Sequence, residues 1–158
     1  MPNTAVAAWF TAFNKAIAAQ DADGAAALMH VDGHWRDVLA FSWRLETISG
    51  RAAIADKLRA TLAEIRPSAF YLNPTRTPPR RITRVGVEVI EVIFEFTTRH
   101  GAASGVLRLT PDPSDGALLA WTIMTSLQEL NDQASASGGA KAGGDAFNRE
   151  FGGDNWLD

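Results

Sequence analysis

At 158 residues, 46% hydrophobic and 21% charged, the chain suits a single globular domain. Its net charge of −3 argues against a nucleic-acid binder, and the absence of cysteine excludes disulfides, zinc-thiolate centres and thiol catalysis. No apolar run approaches the roughly 18 residues of a membrane span, and "MPNTAVAAWF" lacks the basic start and apolar core of a signal peptide, so a soluble, cytoplasmic protein is expected.

Thr4 is a candidate cap for a first helix, in which Val6, Trp9, Phe10, Phe13 and Ile17 recur at helical spacing. "QDADG" breaks it, and Asp23 can cap a short second helix over Gly24 to His30. After the turn "VDG", the stretch "HWRDVLAFSW" reads as a strand from His34 to Trp43. Alternation puts Trp35, Asp37, Leu39, Phe41 and Trp43 on one face, and His34, Arg36, Val38, Ala40 and Ser42 on the other. A second strand follows over Arg44 to Ile48. "SGRAAIADKLRATLAEIRP" is a third helix with the stripe Ile54, Leu58, Leu62 and Ile65, stopped by Pro67. The basic cluster from Arg76 to Arg84 contains Pro78 and Pro79 and reads as a solvated loop.

The remainder is strand-like. "AFYL" is short; "ITRVGVEVIEVIFEFTTR" reads as one long strand, with Val92, Phe94 and Phe96 on one face and a bulge expected near Glu91. "GVLRLT" and "ALLAWTIMTSLQEL" follow, separated by the turn "PDPSDG". In the last, Leu119, Trp121, Ile123 and Leu127 share a face. Three helices in the N-terminal half and then a block of strands give an α+β class with a curved antiparallel sheet. From Asn131 the chain turns glycine-, serine- and alanine-rich, so residues 1–130 read as the domain and 131–158 as a linker and tail ending in "AFNREFGGDNWLD".

Asp37 is the first candidate for chemistry. A carboxylate on an aromatic wall is poorly solvated, which suits a general base near neutral pH or an acid kept neutral. The competing reading is that it pairs with an arginine or caps a backbone N–H. His34 reaches a pocket rim only if the strand twists. Glu91 interrupts an apolar run and is the strand acid most suited to face inward as a partner for Asp37; Glu46, Glu88 and Glu95 read as solvent-facing. Trp35, Trp43, Phe94, Trp121 and Phe13 are expected to line a small-molecule pocket, and Arg36 reads as a structural partner or an anion ligand. His30 and His34 have helical metal spacing, but Asp32-Gly33 breaks any helix between them, so no metal site is expected.

The order of these elements resembles the nuclear-transport-factor-2-like superfamily, closest to its SnoaL-like branch, over Ala5 to Leu130; "GRAAI" resembles the entry to that branch's third helix. The resemblance implies a cone, in which a curved sheet wraps the first helix around a pocket, and sheet-face homodimers. "HWRDVLAFSW", "TISGRAAI", "EVIFEFTTRHGAASGVLRL" and "AWTIMTSLQEL" further resemble the N-terminal domain of flavin-dependent monooxygenase-like oxidoreductases, in which a Trp-Leu pair like Trp156-Leu157 precedes the dinucleotide-binding region. This chain contains no G-x-G-x-x-G after a strand, so FAD and NADP would belong to a downstream region. Three functions follow as expectations: an accessory domain that holds an apolar organic molecule or orders an oligomer; a stand-alone isomerase, cyclase or hydrolase with Asp37 as base and His34 or Glu91 as helper; or a dimerisation module. A cavity too small for an organic molecule would remove the pocket that the first two require.

Overall fold

A computed structural model describes residues 2–112 and 114–133. The tail from residue 134, with its aromatic ending, and Pro113 lie outside the described residues. Three helices come first in the element order: α1 (Pro2–Ala18), α2 (Ala22–Ala27) and α3 (Arg51–Ile65), with β1 (Met29–Val38) and β2 (Leu45–Ser49) between α2 and α3. Then come β3 (Ser68–Tyr71), β4 (Arg80–Arg84), β5 (Val87–Thr97), β6 (Gly101–Pro111) and β7 (Leu118–Leu130). The class is α+β, as expected. No described helix is long and apolar enough to cross a membrane.

The seven strands form one sheet in the order β2-β1-β7-β6-β5-β3, with β4 also paired to β5. All pairs are antiparallel except β1 with β7, which run parallel. One face of the sheet is apolar, built from Trp35, Ile123, Leu107, Val92 and Phe94, and closes on Val6, Trp9, Phe10, Phe13 and Ile17 of α1 and on Ile54, Leu58, Leu62 and Ile65 of α3. Both helical stripes therefore do what their spacing requires. Asn14 fixes α1 against β3 by exchanging two hydrogen bonds with the Phe70 backbone, at 2.8 and 3.0 Å. Within the core, Trp9 stacks on Phe13 and Phe70 on Phe96.

Several boundaries differ from the sequence expectation. Helix α1 begins before Thr4, and Asp21 rather than Asp23 caps α2, accepting from the Gly24 N–H at 2.8 Å. "VDG" lies inside β1, which ends at Val38 rather than Trp43. The long basic-to-apolar stretch is a hairpin: Val85 (φ 50°) and Gly86 (φ 78°) form the connection, the paired positive φ values of a type I′ turn. Arg80 to Arg84 is thus a strand and not a solvated loop. No bulge occurs at Glu91, since β5 pairs β6 in unbroken register from Ile90 to Thr97. Register shifts lie elsewhere: in the pairing of β7 with β6, where Trp121 and Gln128 are skipped, between Met29 and His34 of β1 against β7, and between Ser68 and Tyr71 of β3 against β5.

Candidate functional site

Asp37 is fully buried at the end of β1, on the inner face. The chain turns immediately after it: Leu39 adopts φ 65° and the Leu39 N–H bonds the Arg44 carbonyl at 3.2 Å. That loop brings two backbone N–H groups back to the carboxylate, from Phe41 at 3.0 Å and Ser42 at 2.9 Å. The third donor comes from β7, the Thr125 hydroxyl at 2.6 Å from Oδ1. Thr125 in turn accepts the indole N–H of Trp35 at 2.8 Å, making a buried chain from Trp35 through Thr125 to Asp37. The Ser42 hydroxyl lies 3.2 Å from Asp37 and 2.6 Å from Glu46; it has one proton, and the shorter contact takes it. Lys57 adds a salt bridge to Glu46, and these two partners hold the Glu46 carboxyl below its usual range. Asp37 is therefore an acceptor hub that ties the 39–44 loop to the sheet.

Beside this hub the interior void measures about 10 Å³, room for one water. Its wall includes the expected Trp35 and Phe13, together with Phe41, Phe70, Ile123 and Thr125. Phe94 is buried in the core but does not line the void. Trp43 leaves the wall: the loop carries it outward, 58% exposed, with its ring 5.1 Å from His100. Trp121 is half-buried at the bulge and outside the lining. A void of this size does not admit an organic molecule, and Phe41 from the loop forms part of its wall.

The other acid and base candidates lie on the opposite side of the sheet. In register, Glu91 sits opposite Arg108, Arg108 opposite Thr122 and Thr122 opposite His34, a row along the outer face. His34 hydrogen-bonds Ser49 at 2.9 Å and Arg36 donates to Thr47 at 2.9 Å. Glu91 is 8% exposed yet faces outward, covered by arginines: Arg80 at 2.8 Å, Arg108 at 3.0 Å and Arg84 at 3.5 Å. Burial pushes its carboxyl up, but the hydrogen bonds from Arg80 and Arg108 and the charges of Arg108 and Arg84 outweigh it and leave it below the usual carboxylate range. The expected acid pair of Glu91 with Asp37 does not form; the sheet separates them. His34 likewise cannot serve Asp37.

The outer face also carries a groove of about 360 Å³ lined by His34, Arg36, Thr47, Arg108 and Thr122, with Val106 and Met124 in its floor. Ile93, Val106 and Met124 are cross-strand neighbours and form an apolar stripe over three central strands, each half-buried. Among the described residues no three His, Asp or Glu side chains gather to hold a metal. The one strand-to-helix turn among the described residues, from β2 to α3, carries the single glycine Gly50 and is not the glycine-rich turn of a dinucleotide-binding fold.

No family model matches the sequence, and no curated protein matches it by sequence. The structure is similar to that of an NTF2-like protein with a cystatin-like fold from Novosphingobium aromaticivorans, at TM-score 0.52 and 16% identity, over 85% of this chain and 84% of that one. The fold is NTF2-like. It is also similar to ActVI-ORFA of Streptomyces coelicolor (TM-score 0.56, 15% identity, 80% of this chain, 96% of that one) and to Aln2 of another Streptomyces strain (0.57, 14%, 79% and 89%). At these identities the likeness is one of fold.

Three site residues escape the sequence reading. Thr125 had a signal, since a hydroxyl falls in phase with Ile123 and Leu127 on the apolar face of its strand, the same anomaly that marks Asp37. Phe41 had the right face for the wrong reason, entering from a loop. Arg108 had no signal, being one polar residue alternating with Leu107 and Leu109.

Proposed function

We propose that this SnoaL-like domain is an association domain without chemistry of its own, and that its outer sheet face packs against the same face of a second copy. One observation carries the reading: the interior is filled to a water-sized void, while no helix of the described residues covers the apolar stripe of Ile93, Val106 and Met124 at the centre of the sheet. A two-fold pairing sets such a stripe against itself and buries it on both copies. The geometry around Asp37 gives no support to acid–base catalysis, since its donors are committed to holding the loop. Sedimentation equilibrium of the full chain tests the pairing. Twice the 17.0 kDa chain mass is expected, reverting to a monomer with unchanged circular dichroism in Met124→Glu. A wild-type monomer at all concentrations refutes it.

In the same reading the domain is an accessory part of a flavin-dependent monooxygenase-like oxidoreductase, whose own region would bind FAD and NADP. The sequence resemblance supports this. An antibody against residues 5–130 tests it in the source cells: a band several times larger than 17.0 kDa is expected, and a band at that mass refutes it.

A second reading keeps the interior as a pocket for an apolar organic molecule. What favours it is the polar chain of Trp35, Thr125 and Asp37 set beside the void, a hydrogen-bonding corner in an aromatic wall. It requires the 39–44 loop to lift Phe41 out. Saturable binding of a naphthol-sized probe to the wild-type chain supports that opening; its absence refutes it.

A further inference from the structure

The arginines around Glu91 are more than one carboxylate needs. The β4–β5 hairpin sets Arg80 directly opposite Glu91, and β6 sets Arg108 opposite it on the other side. Arg84, four residues along β4 from Arg80, shares its face and reaches the same carboxylate. Three guanidinium groups thus converge on one acid and leave a local charge of +2 on a chain whose net charge is −3. Each guanidinium has five N–H donors in a planar fork, and each gives only one hydrogen bond to Glu91. The side chains are 53%, 46% and 32% exposed for Arg80, Arg84 and Arg108, so the unspent donors face solvent while the acid beneath is covered. Glu91 orients the forks and does not neutralise them.

From Arg108 the outer groove continues past the Thr122 hydroxyl to His34, Arg36 and the Thr47 hydroxyl, over the apolar floor of Val106 and Met124. Planar, always-charged forks held side by side match the tetrahedral oxygens of a phosphate group. We propose that Arg80, Arg84 and Arg108 form a binding site for a phosphate group, free or esterified, with the groove receiving the organic part of an ester. The arginine cluster lies beside the apolar stripe, toward the β4 edge of the sheet, and stands whether or not that stripe pairs two copies; the groove, floored by Val106 and Met124, receives an ester only where the stripe is unpaired.

Isothermal titration of the full chain with inorganic phosphate and with phenyl phosphate, at constant ionic strength balanced by sodium chloride, tests the site. Saturable binding is expected, weakened about tenfold or more in the Arg80→Ala/Arg84→Ala double variant through loss of charge-assisted hydrogen bonds. Arg81→Ala is the control, matched in charge to the single Arg84→Ala variant: Arg81 points to the other side of β4 and pairs with Glu88, so its loss removes one positive charge from the same strand without touching the cluster. It is expected to change affinity less than about twofold. Tighter binding of phenyl phosphate identifies an ester lying in the groove; equal affinities identify a site for phosphate itself. Absence of saturable heat, binding that survives the double variant with circular dichroism unchanged, or an equal loss in Arg81→Ala each overturns the proposal. Should the double variant fail to fold, the single Arg84→Ala variant reads the same loss.

Discussion

Replacing Asp37 by Asn separates a structural hub from a catalytic base. The carboxylate receives the N–H groups of Phe41 and Ser42 and the hydroxyl of Thr125, with no exposed surface. The amide of Asn has one acceptor oxygen. Turned toward the loop, it keeps both backbone donors but faces Thr125 with an NH2, and the Thr125 proton loses its acceptor, since that hydroxyl already receives the Trp35 indole. Turned the other way, it leaves the Ser42 N–H against another donor. In either orientation one buried donor is stranded, at about 1–3 kcal/mol, and the remaining bonds fall from charge-assisted to neutral, at roughly 1 kcal/mol each. Relief of the buried charge offsets part of this, so Asp37→Asn is expected to cost about 3 kcal/mol. That corresponds to a fall in melting temperature of roughly 6–12 °C for a chain of this size. Urea denaturation followed by tryptophan fluorescence and circular dichroism measures it. A loss below about 1 kcal/mol would refute the hub.

Gly105 sits where an added Cβ would collide with the Phe94 ring and with the Met124 carbonyl; Gly105→Ala is expected to cost about 3 kcal/mol or to prevent folding, read from thermal melts. Phe41→Ala should lose about 3–5 kcal/mol and open an apolar cavity beside Trp35, so that indole raises the melting temperature of the variant and not of the wild type. Glu91, with its folded carboxyl held low, adds stability that is present above the ordinary carboxylate pKa of 4.5 and is lost as pH falls below it through the folded value. Glu91→Gln should therefore be less stable than wild type by about 1–3 kcal/mol at pH 7, with the gap closing on acidification in a series of urea melts.

The helical stripes of α1 and α3 were fully legible because a 3.6-residue period leaves little choice of face. The inward face of β1 was legible too, as far as Val38. Beyond it the alternation continues in the letters and not in the chain: "LAFSW" has no glycine, proline or asparagine, and the turn there is made by a leucine at positive φ whose loop is tied by a side chain two residues back. Turn chemistry that resides in Asp37 cannot be read from the turn residues. Trp43 and Trp121 were misplaced for related reasons, one past a hidden turn and one at a bulge, since a period-2 pattern carries no record of a skipped residue. The pairing of Glu91 with three arginines was hidden because it depends on a hairpin and on a strand seventeen residues away.

The parallel pairing of β1 with β7 sets the order in which the molecule can be completed during synthesis. Asp37 and its Thr125 donor are 88 residues apart in sequence, and Trp35 and Thr125 are 90 apart. Until the ribosome has delivered β7, β1 lacks one of its two neighbours, and the loop carrying Phe41 is held by its backbone donors to Asp37 and by the Ser42 hydroxyl on Glu46, without the Thr125 bond. Closing so long a span costs entropy that only the finished sheet repays, so final consolidation is a late, slow step. A nascent chain halted before residue 118 displays Trp35 and the unpaired edges of β1 and β6, the surfaces that chaperones bind and that other unfinished copies can join.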